Sequence, residues 1–116
     1  MKLKDIKEKI EKATVAVATV TKDSKPYAIV IMYAKVIDNK IIITDNYMKT
    51  TVENIKNNPN VSLVFWQGEE GWRISGTVTY HSSGRWLDYV KSLKENQGFP
   101  AKGALIINVE EITKLG

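Results

Sequence analysis

The sequence contains no cysteine and a single histidine, His81. The absence of cysteine excludes a disulfide scaffold, a thiol nucleophile and a zinc-thiolate centre. One histidine is too few for a histidine-rich metal site, so we predict no metal ligands. Glycine occurs seven times, but never as a G-x-G-x-x-G pattern or a phosphate-binding P-loop. Nicotinamide and ATP sites of those two kinds are therefore not indicated.

Long apolar runs are missing as well. No stretch approaches the ~20 residues that a transmembrane helix needs. The N-terminal MKLKDIKEKIEK alternates in charge and lacks the apolar centre of a secretory signal. We therefore expect a cytoplasmic protein that makes no use of a membrane. The length predicts a single domain over residues 1–116.

Basic residues are in modest excess over acidic ones. Seventeen basic and thirteen acidic residues give a formal net charge of +4. Such an excess favours an anionic partner. The densest basic cluster, Lys2–Lys12, also holds three acidic residues, which is more typical of a solvated helix face than of a nucleic-acid patch.

The apolar pattern predicts six strands, an amphipathic opening helix and two further short helices. The predicted strands are 14–22, 27–37, 40–44, 61–66, 72–80 and 104–109. Short turns between successive strands favour an antiparallel sheet, because parallel strands need long crossovers. We therefore predict an α+β fold, with a six-stranded antiparallel barrel, closed or nearly closed, and short covering helices.

The segment before the middle helix has the features of an anion site. Thr50 and Glu53 match the capping-box pattern S/T-x-x-E, which places Thr50 at the N-cap. A helix N-terminus presents unpaired N–H groups and a partial positive charge. Lys49 adds a full charge, and Thr50 and Thr51 add hydroxyls. A phosphate would suit these groups, although an ordinary capped helix beside a surface lysine has the same pattern.

A succession of short motifs links these elements. They include Ala18–Thr21, Lys25–Tyr27, Tyr33–Val36, Asp38–Lys40 and the run Lys49–Leu63, which reads KTTVENIKNNPNVSL. The order and spacing resemble the FMN-binding split barrels of the pyridoxamine 5′-phosphate oxidase-like superfamily, in particular its small single-domain members. The resemblance is most specific from Ala18 to Leu63, and again at Ile74–Val78. It implies a six-stranded split barrel that forms a homodimer with FMN at the subunit interface.

The resemblance also implies which residues hold the flavin. In this family the lysine and hydroxyl residues before the middle helix bind the phosphate, and here they are Lys49, Thr50 and Thr51. The second and third strands line the flavin ring in the family. The residues at those positions here are Ile29, Val30, Ile31, Thr44, Asp45 and Met48.

Two tryptophans are further candidates for the flavin site. Trp66 and Trp72 flank the loop Gln67–Gly71, so either is placed to stack on the ring, including across a dimer. We include Trp72 among the predicted cofactor-binding residues. Packing in the core or at the dimer interface remains the alternative for both side chains.

The sequence leaves several functions open. Oxidases that act on vitamin B6 phosphates carry a C-terminal arginine segment, whereas the last residues here, Ile112–Gly116, contain no arginine. The resemblance therefore favours a flavoprotein oxidoreductase with a small-molecule or protein redox partner, and it identifies no catalytic side chain. An electron carrier or flavin store without its own substrate has the same site. A nucleic-acid-binding barrel using Trp66, Trp72 and Tyr80 is a third possibility, and a barrel that has lost its flavin site is a fourth.

Overall fold

A computed structural model describes residues 1–115 as one antiparallel sheet with three α-helices and a short 3-10 turn. The helices are α1 (Leu3–Lys12), α2 (Thr50–Asn57) and α3 (Arg85–Ser92), and the 3-10 turn is Lys94–Asn96. The strands are β1 (Val15–Val20), β2 (Pro26–Ile31), β3 (Lys35–Ile37), β4 (Lys40–Asp45), β5 (Asn60–Gln67), β6 (Glu70–His81) and β7 (Gly103–Leu115). The predicted α+β class is confirmed. None of the helices in the described part of the chain is long and apolar enough to cross a membrane.

The sheet corrects the predicted strand count. Within residues 1–115 it has seven strands in the order β2-β1-β5-β6-β7-β4-β3, and it is not closed, because β2 and β3 stand at its two edges. The predicted strand 27–37 breaks at residues 32–34. Its first part pairs with β1, and its second part pairs with β4. The apolar pattern runs through the break, so it predicts extended chain on both sides without revealing that the neighbouring strand changes.

Two apolar clusters hold the fold together. The larger one contains Leu3, Ile6 and Ile10 of α1 with the inward residues of the sheet, and the smaller one lies beneath α3 around Val90. The strand β4 separates them, since Ile41 and Ile43 belong to the larger cluster and Ile42 to the smaller. Burial on both faces explains why these three consecutive residues are all isoleucine.

Polar side chains fasten the helix α1 to an edge strand and to the central strand of the sheet. Glu11 accepts a hydrogen bond from the Val36 backbone N–H at 2.8 Å, so α1 covers the edge strand β3. On the central strand β6, Glu70 lies 3.4 Å from Lys9, whose ammonium is 4.9 Å from the centre of the Trp72 ring. The basic cluster Lys2–Lys12 therefore includes side chains that dock the helix as well as a solvated face.

Candidate functional site

A cavity of about 800 Å³ lies between the edge strand β2, the end of β4 and the start of α2. This volume is within the range of small-molecule and cofactor sites. Eight of the ten predicted cofactor-binding residues line it: Ile29, Val30, Ile31, Thr44, Met48, Lys49, Thr50 and Thr51. The two predicted residues that lie apart from it are Asp45 and Trp72.

The polar end of the cavity is the beginning of α2. Lys49 occupies the N-cap and is exposed, while Thr50 is the first helical residue. This corrects the predicted capping box, which placed Thr50 at the N-cap. The Lys49 carbonyl accepts the first helical bond from the Glu53 N–H at 3.0 Å, and no side chain caps the helix. The helix therefore directs its first N–H groups, an ammonium group and two hydroxyl residues towards the same end of the cavity.

The opposite walls of the cavity are apolar and aromatic. Ile29, Val30 and Ile31 come from β2, and Tyr27 and Tyr33 flank them. Four large apolar side chains that are exposed in the single chain also line the cavity: Val30, Met32, Tyr47 and Phe99. Clustered apolar exposure of this kind marks a surface that another molecule covers.

Asp45 lies directly behind the cavity wall. Its side chain is fully buried, at 0% exposure, and is not among the cavity-lining residues. One carboxylate oxygen accepts the Met48 backbone N–H at 2.8 Å, and the other accepts the Tyr80 hydroxyl at 2.6 Å. The Lys102 ammonium lies 4.0 Å from the first oxygen. Asp45 therefore contacts the chain that forms the wall, and not the cavity itself.

The hydrogen bond from Tyr80 to Asp45 requires a glycine. Gly103 is paired with Asp45 in the sheet, and a Cβ atom at Gly103 would collide with the Tyr80 hydroxyl. Burial, followed by the hydrogen bond to the Asp45 carboxylate, raises the pKa of Tyr80 to about 12. The phenol is therefore protonated at neutral pH and acts as a donor to Asp45.

The segment that joins α3 to β7 forms another part of the wall, and sequence patterns did not reveal it. Glu95 and Phe99 line the cavity, with Phe99 half exposed. Asn96 is buried, donates to Thr44 Oγ1 at 2.8 Å and to the Val90 carbonyl at 2.7 Å, and accepts the Tyr33 hydroxyl. An aromatic residue inside the polar run KENQGFP was the one signal available for this segment.

An ion pair stands at the edge of the cavity. Lys35 binds Glu95, and the hydrogen bond between them raises the pKa of Lys35 and lowers that of Glu95. Both groups therefore carry their charges at neutral pH. The pair joins the start of β3 to the segment that carries Phe99.

Trp72 belongs to the core. It is 2% exposed and stacks on Phe65 with ring centres 5.1 Å apart. The alternation of β6 turns Trp72, Ile74 and Val78 inward together, which gives Trp72 the packing role that the sequence left open. Trp66, on the opposite face of β5, is 65% exposed. Its predicted contact across a dimer stays a prediction.

Metal-binding side chains are not gathered anywhere in residues 1–115, where no group of three or more His, Cys, Asp or Glu residues is close enough to hold an ion. His81 is not among the cavity-lining residues, and its Nε2 lies 2.9 Å from the Thr79 hydroxyl. The groups that face the cavity suit an anion at one end and an apolar ring at the other.

Known proteins resemble this chain along most of its length. The sequence model of the pyridoxamine 5′-phosphate oxidase family matches residues 3–116. An uncharacterised protein of Methanocaldococcus jannaschii is 32% identical over 114 residues, which covers 91% of this chain and 75% of that protein. A pyridoxine/pyridoxamine 5′-phosphate oxidase of Leptospira interrogans is 34% identical over 74 residues. That match covers 62% of this chain but only 35% of the enzyme.

Solved structures share the same fold. Group A Streptococcus HupZ superposes with a TM-score of 0.87 at 28% identity, covering 99% of this chain and 94% of HupZ. An FMN-binding protein from Syntrophomonas wolfei superposes with a TM-score of 0.77 at 16% identity, covering 97% of this chain and 88% of that protein.

Proteins named for other cofactors have the same fold. An F420 reductase superposes with a TM-score of 0.73 at 16% identity, covering 91% of this chain and 94% of that protein. A heme-binding protein from Mycobacterium smegmatis gives 0.71 at 13% identity, covering 91% and 50%. At such identities the likeness establishes the fold alone. The family match, which spans nearly the whole sequence, supports the flavin-binding split barrel, and the chain belongs to the pyridoxamine 5′-phosphate oxidase family.

Proposed function

We propose that this protein is a flavoprotein that binds FMN noncovalently in the cavity and performs redox chemistry with it. One observation carries the proposal. In a chain of this family, a cavity of about 800 Å³ has a cationic helix start at one end and the apolar edge of β2 at the other. A phosphate attached to a flat, largely apolar ring system requires that combination.

Lys49 and the first turn of α2 would hold the phosphate. The ammonium group, the unpaired N–H groups of the turn and the hydroxyls of Thr50 and Thr51 are charge-assisted or neutral donors. Glu95 is the one carboxylate among the cavity-lining residues within 1–115, and its charge is compensated by Lys35. The balance of charge in the cavity therefore favours an anionic ligand.

The edge strand β2 would hold the ring. This strand has a hydrogen-bonded neighbour on one side, β1, so its other edge offers backbone N–H and C=O groups beside the side chains of Ile29 and Ile31. Backbone groups can therefore orient the polar edge of a flavin while the side chains contact its apolar part. When bound, the flavin supplies the electron or hydride transfer, and the chain supplies binding and orientation.

Heme is an alternative ligand, because Met48 and three tyrosines line the cavity and these side-chain types can ligate heme iron, although the sole histidine, His81, does not line it. FMN is favoured by the cationic helix start, which suits a phosphate. F420 also carries a phosphate and a flat ring, and it is distinguished from FMN by titration. We keep the cytoplasm as the proposed compartment and one domain over residues 1–116 as the proposed unit.

The proposal includes a homodimer with FMN at its interface. On the outer face of β1, β2 and β5, Ala16 lies between Val30 and Val64. Val30 and Trp66 are each 65% exposed in the single chain, and Val30 also lines the cavity. A second copy seated on this face would cover the apolar rim and complete the cavity.

The first experiment is the visible spectrum of the purified protein, followed by titration of the apoprotein with FMN, F420 and hemin. The proposal expects flavin absorption bands and one FMN per chain released on denaturation. Steady turnover with NAD(P)H or another reductant would assign an oxidoreductase, whereas reduction without turnover would assign a carrier or store. A colourless protein that binds hemin or F420 but not FMN would refute the proposal. A protein that binds none of the three would next be tested with single-stranded oligonucleotides.

A further inference from the structure

Two oppositely charged side chains behind the cavity wall, Asp45 and Lys102, bind both polar backbone groups of Met48. Asp45 accepts the Met48 N–H at 2.8 Å, and the Lys102 ammonium donates to the Met48 carbonyl at 2.8 Å. Met48 directly precedes Lys49, the N-cap of α2. Asp45 therefore holds the peptide group between Tyr47 and Met48, and Lys102 holds the next one, which leads into Lys49.

We propose that Asp45 and Lys102 are positioning residues that make this site select a phosphorylated flavin over an unphosphorylated one. The inference rests on the proposed FMN site. It assigns a role to two groups that do not line the cavity themselves. They act through the loop 46–49, which carries the phosphate-binding end.

The same loop is held at further points by the segment that leads into β7. The Lys102 N–H donates to the Asp45 carbonyl at 2.9 Å, and the Ala101 N–H donates to Asn46 Oδ1 at 2.8 Å. Asn46 and Met48 both line the cavity. A loop held from behind at several points loses less conformational entropy when it binds a ligand.

Asp45 is suited to this role because its own position is overdetermined. A buried carboxylate is costly unless its oxygens are hydrogen-bonded. Tyr80 supplies one bond at 2.6 Å, across the space that Gly103 leaves free, and Met48 supplies another. A loop conformation that moves the Met48 N–H away would leave a buried carboxylate oxygen without this hydrogen bond, and is therefore destabilised.

The inference predicts a separation between two ligands. FMN and riboflavin share the ring system, and only FMN has the phosphate that Lys49 and the first turn of α2 would bind. If the loop is no longer held in position, the affinity for FMN should therefore fall and the affinity for riboflavin should stay the same. A general loss of structure would weaken both ligands.

The test measures the dissociation constants of both flavins by fluorescence quenching for the wild type, Asp45→Asn and Lys102→Met. Both substitutions keep the size of the side chain and remove its charge. We expect the Kd for FMN to rise about tenfold and that for riboflavin to stay the same. Lys91→Met, at an exposed lysine of α3, is the matched control and should change neither constant.

Tyr80→Phe is a further variant, which keeps the ring and removes one hydrogen bond to Asp45. It tests the inference if Asp45→Asn fails to fold, and it should shift the FMN constant in the same direction by a smaller factor. A double-mutant cycle with Lys49→Ala tests the route of the effect. Once Lys49 is removed, Lys102→Met should weaken FMN by a smaller factor than it does alone.

The outcomes separate this inference from the function on which it rests. If the wild type binds neither flavin, the proposed function fails and this inference fails with it. If the wild type binds FMN but shows no preference over riboflavin, the positioning role alone is refuted. The same holds if Lys102→Met and Tyr80→Phe weaken both flavins equally, or weaken neither.

Discussion

Replacing Lys49 with alanine is the sharpest test of the phosphate end of the cavity. Lys49 is exposed at the N-cap of α2, where its backbone, and no side chain, caps the helix. The substitution should therefore change the free energy of unfolding by less than about 0.5 kcal/mol. A charge-assisted hydrogen bond to phosphate contributes about 1.5–3 kcal/mol, which corresponds to a factor of roughly 10 to 150 in Kd.

Solvent exposure decides where in that range the effect should fall. Water screens the charge of an exposed ammonium group, so we expect the lower end, a rise of about tenfold in the Kd for FMN. The assay is titration of apoprotein by flavin fluorescence, with thermal unfolding of the same samples. Lys22→Ala, at an exposed lysine in the turn between β1 and β2, is the control. An unchanged FMN affinity in Lys49→Ala, with Lys22→Ala also unchanged, would place the phosphate elsewhere.

Three further predictions concern the core, the outer face and a titrating phenol. Trp72→Phe should lower the free energy of unfolding by about 1–3 kcal/mol and leave the FMN affinity of the folded protein unchanged, because Trp72 packs on Phe65. Weaker FMN binding with an unchanged free energy of unfolding would instead indicate that Trp72 contacts the flavin. Trp66→Glu should convert the proposed dimer to a monomer in light scattering, since it places a charge on the apolar outer face, and a dimer that persists would locate the interface elsewhere. The pKa of Tyr80 is raised from 10 to about 12, so its stabilising effect is complete below pH 10 and is lost as the pH rises towards 12. The melting temperature of the wild type should therefore fall further over that pH range than that of Tyr80→Phe. Equal decreases would contradict the raised pKa of Tyr80.

Local patterns identified most of the elements and one end of the candidate site. The segment Thr50–Asn57 is helical, and Lys49, Thr50 and Thr51 line one cavity with β2. These features depend on neighbours in sequence, such as a helix start beside a lysine, so a sequence pattern contains them. The helix begins one residue earlier than predicted, since the Lys49 carbonyl accepts the Glu53 N–H and Thr50 is already helical.

Those patterns could not predict contacts between residues that are distant in sequence. Trp72 and Trp66 are six residues apart on paired strands, and the face each one occupies depends on the pleat of β5 and β6. The position of Asp45 behind the wall depends on Tyr80, Lys102 and the space above Gly103, which are distant in sequence. Asn96 is buried only because β4 and α3 both pass beside it. Each of these placements is set by tertiary contacts, and composition and periodicity do not encode them individually.

The break at residues 32–34 has a consequence for the size of the ligand that fits. The strands on either side of it, β2 and β3, are the two edges of the sheet, so three residues form a covalent tether between edges that no ladder joins within residues 1–115. Four Cα–Cα steps from Ile31 to Lys35 span at most about 14 Å. Met32 and Tyr33 of this tether also line the cavity. The length of this chain segment therefore limits how far the two edges can separate at this end of the cavity, and with it the width of a ligand that fits between them. Each inserted residue would extend that limit by about 3.5 Å.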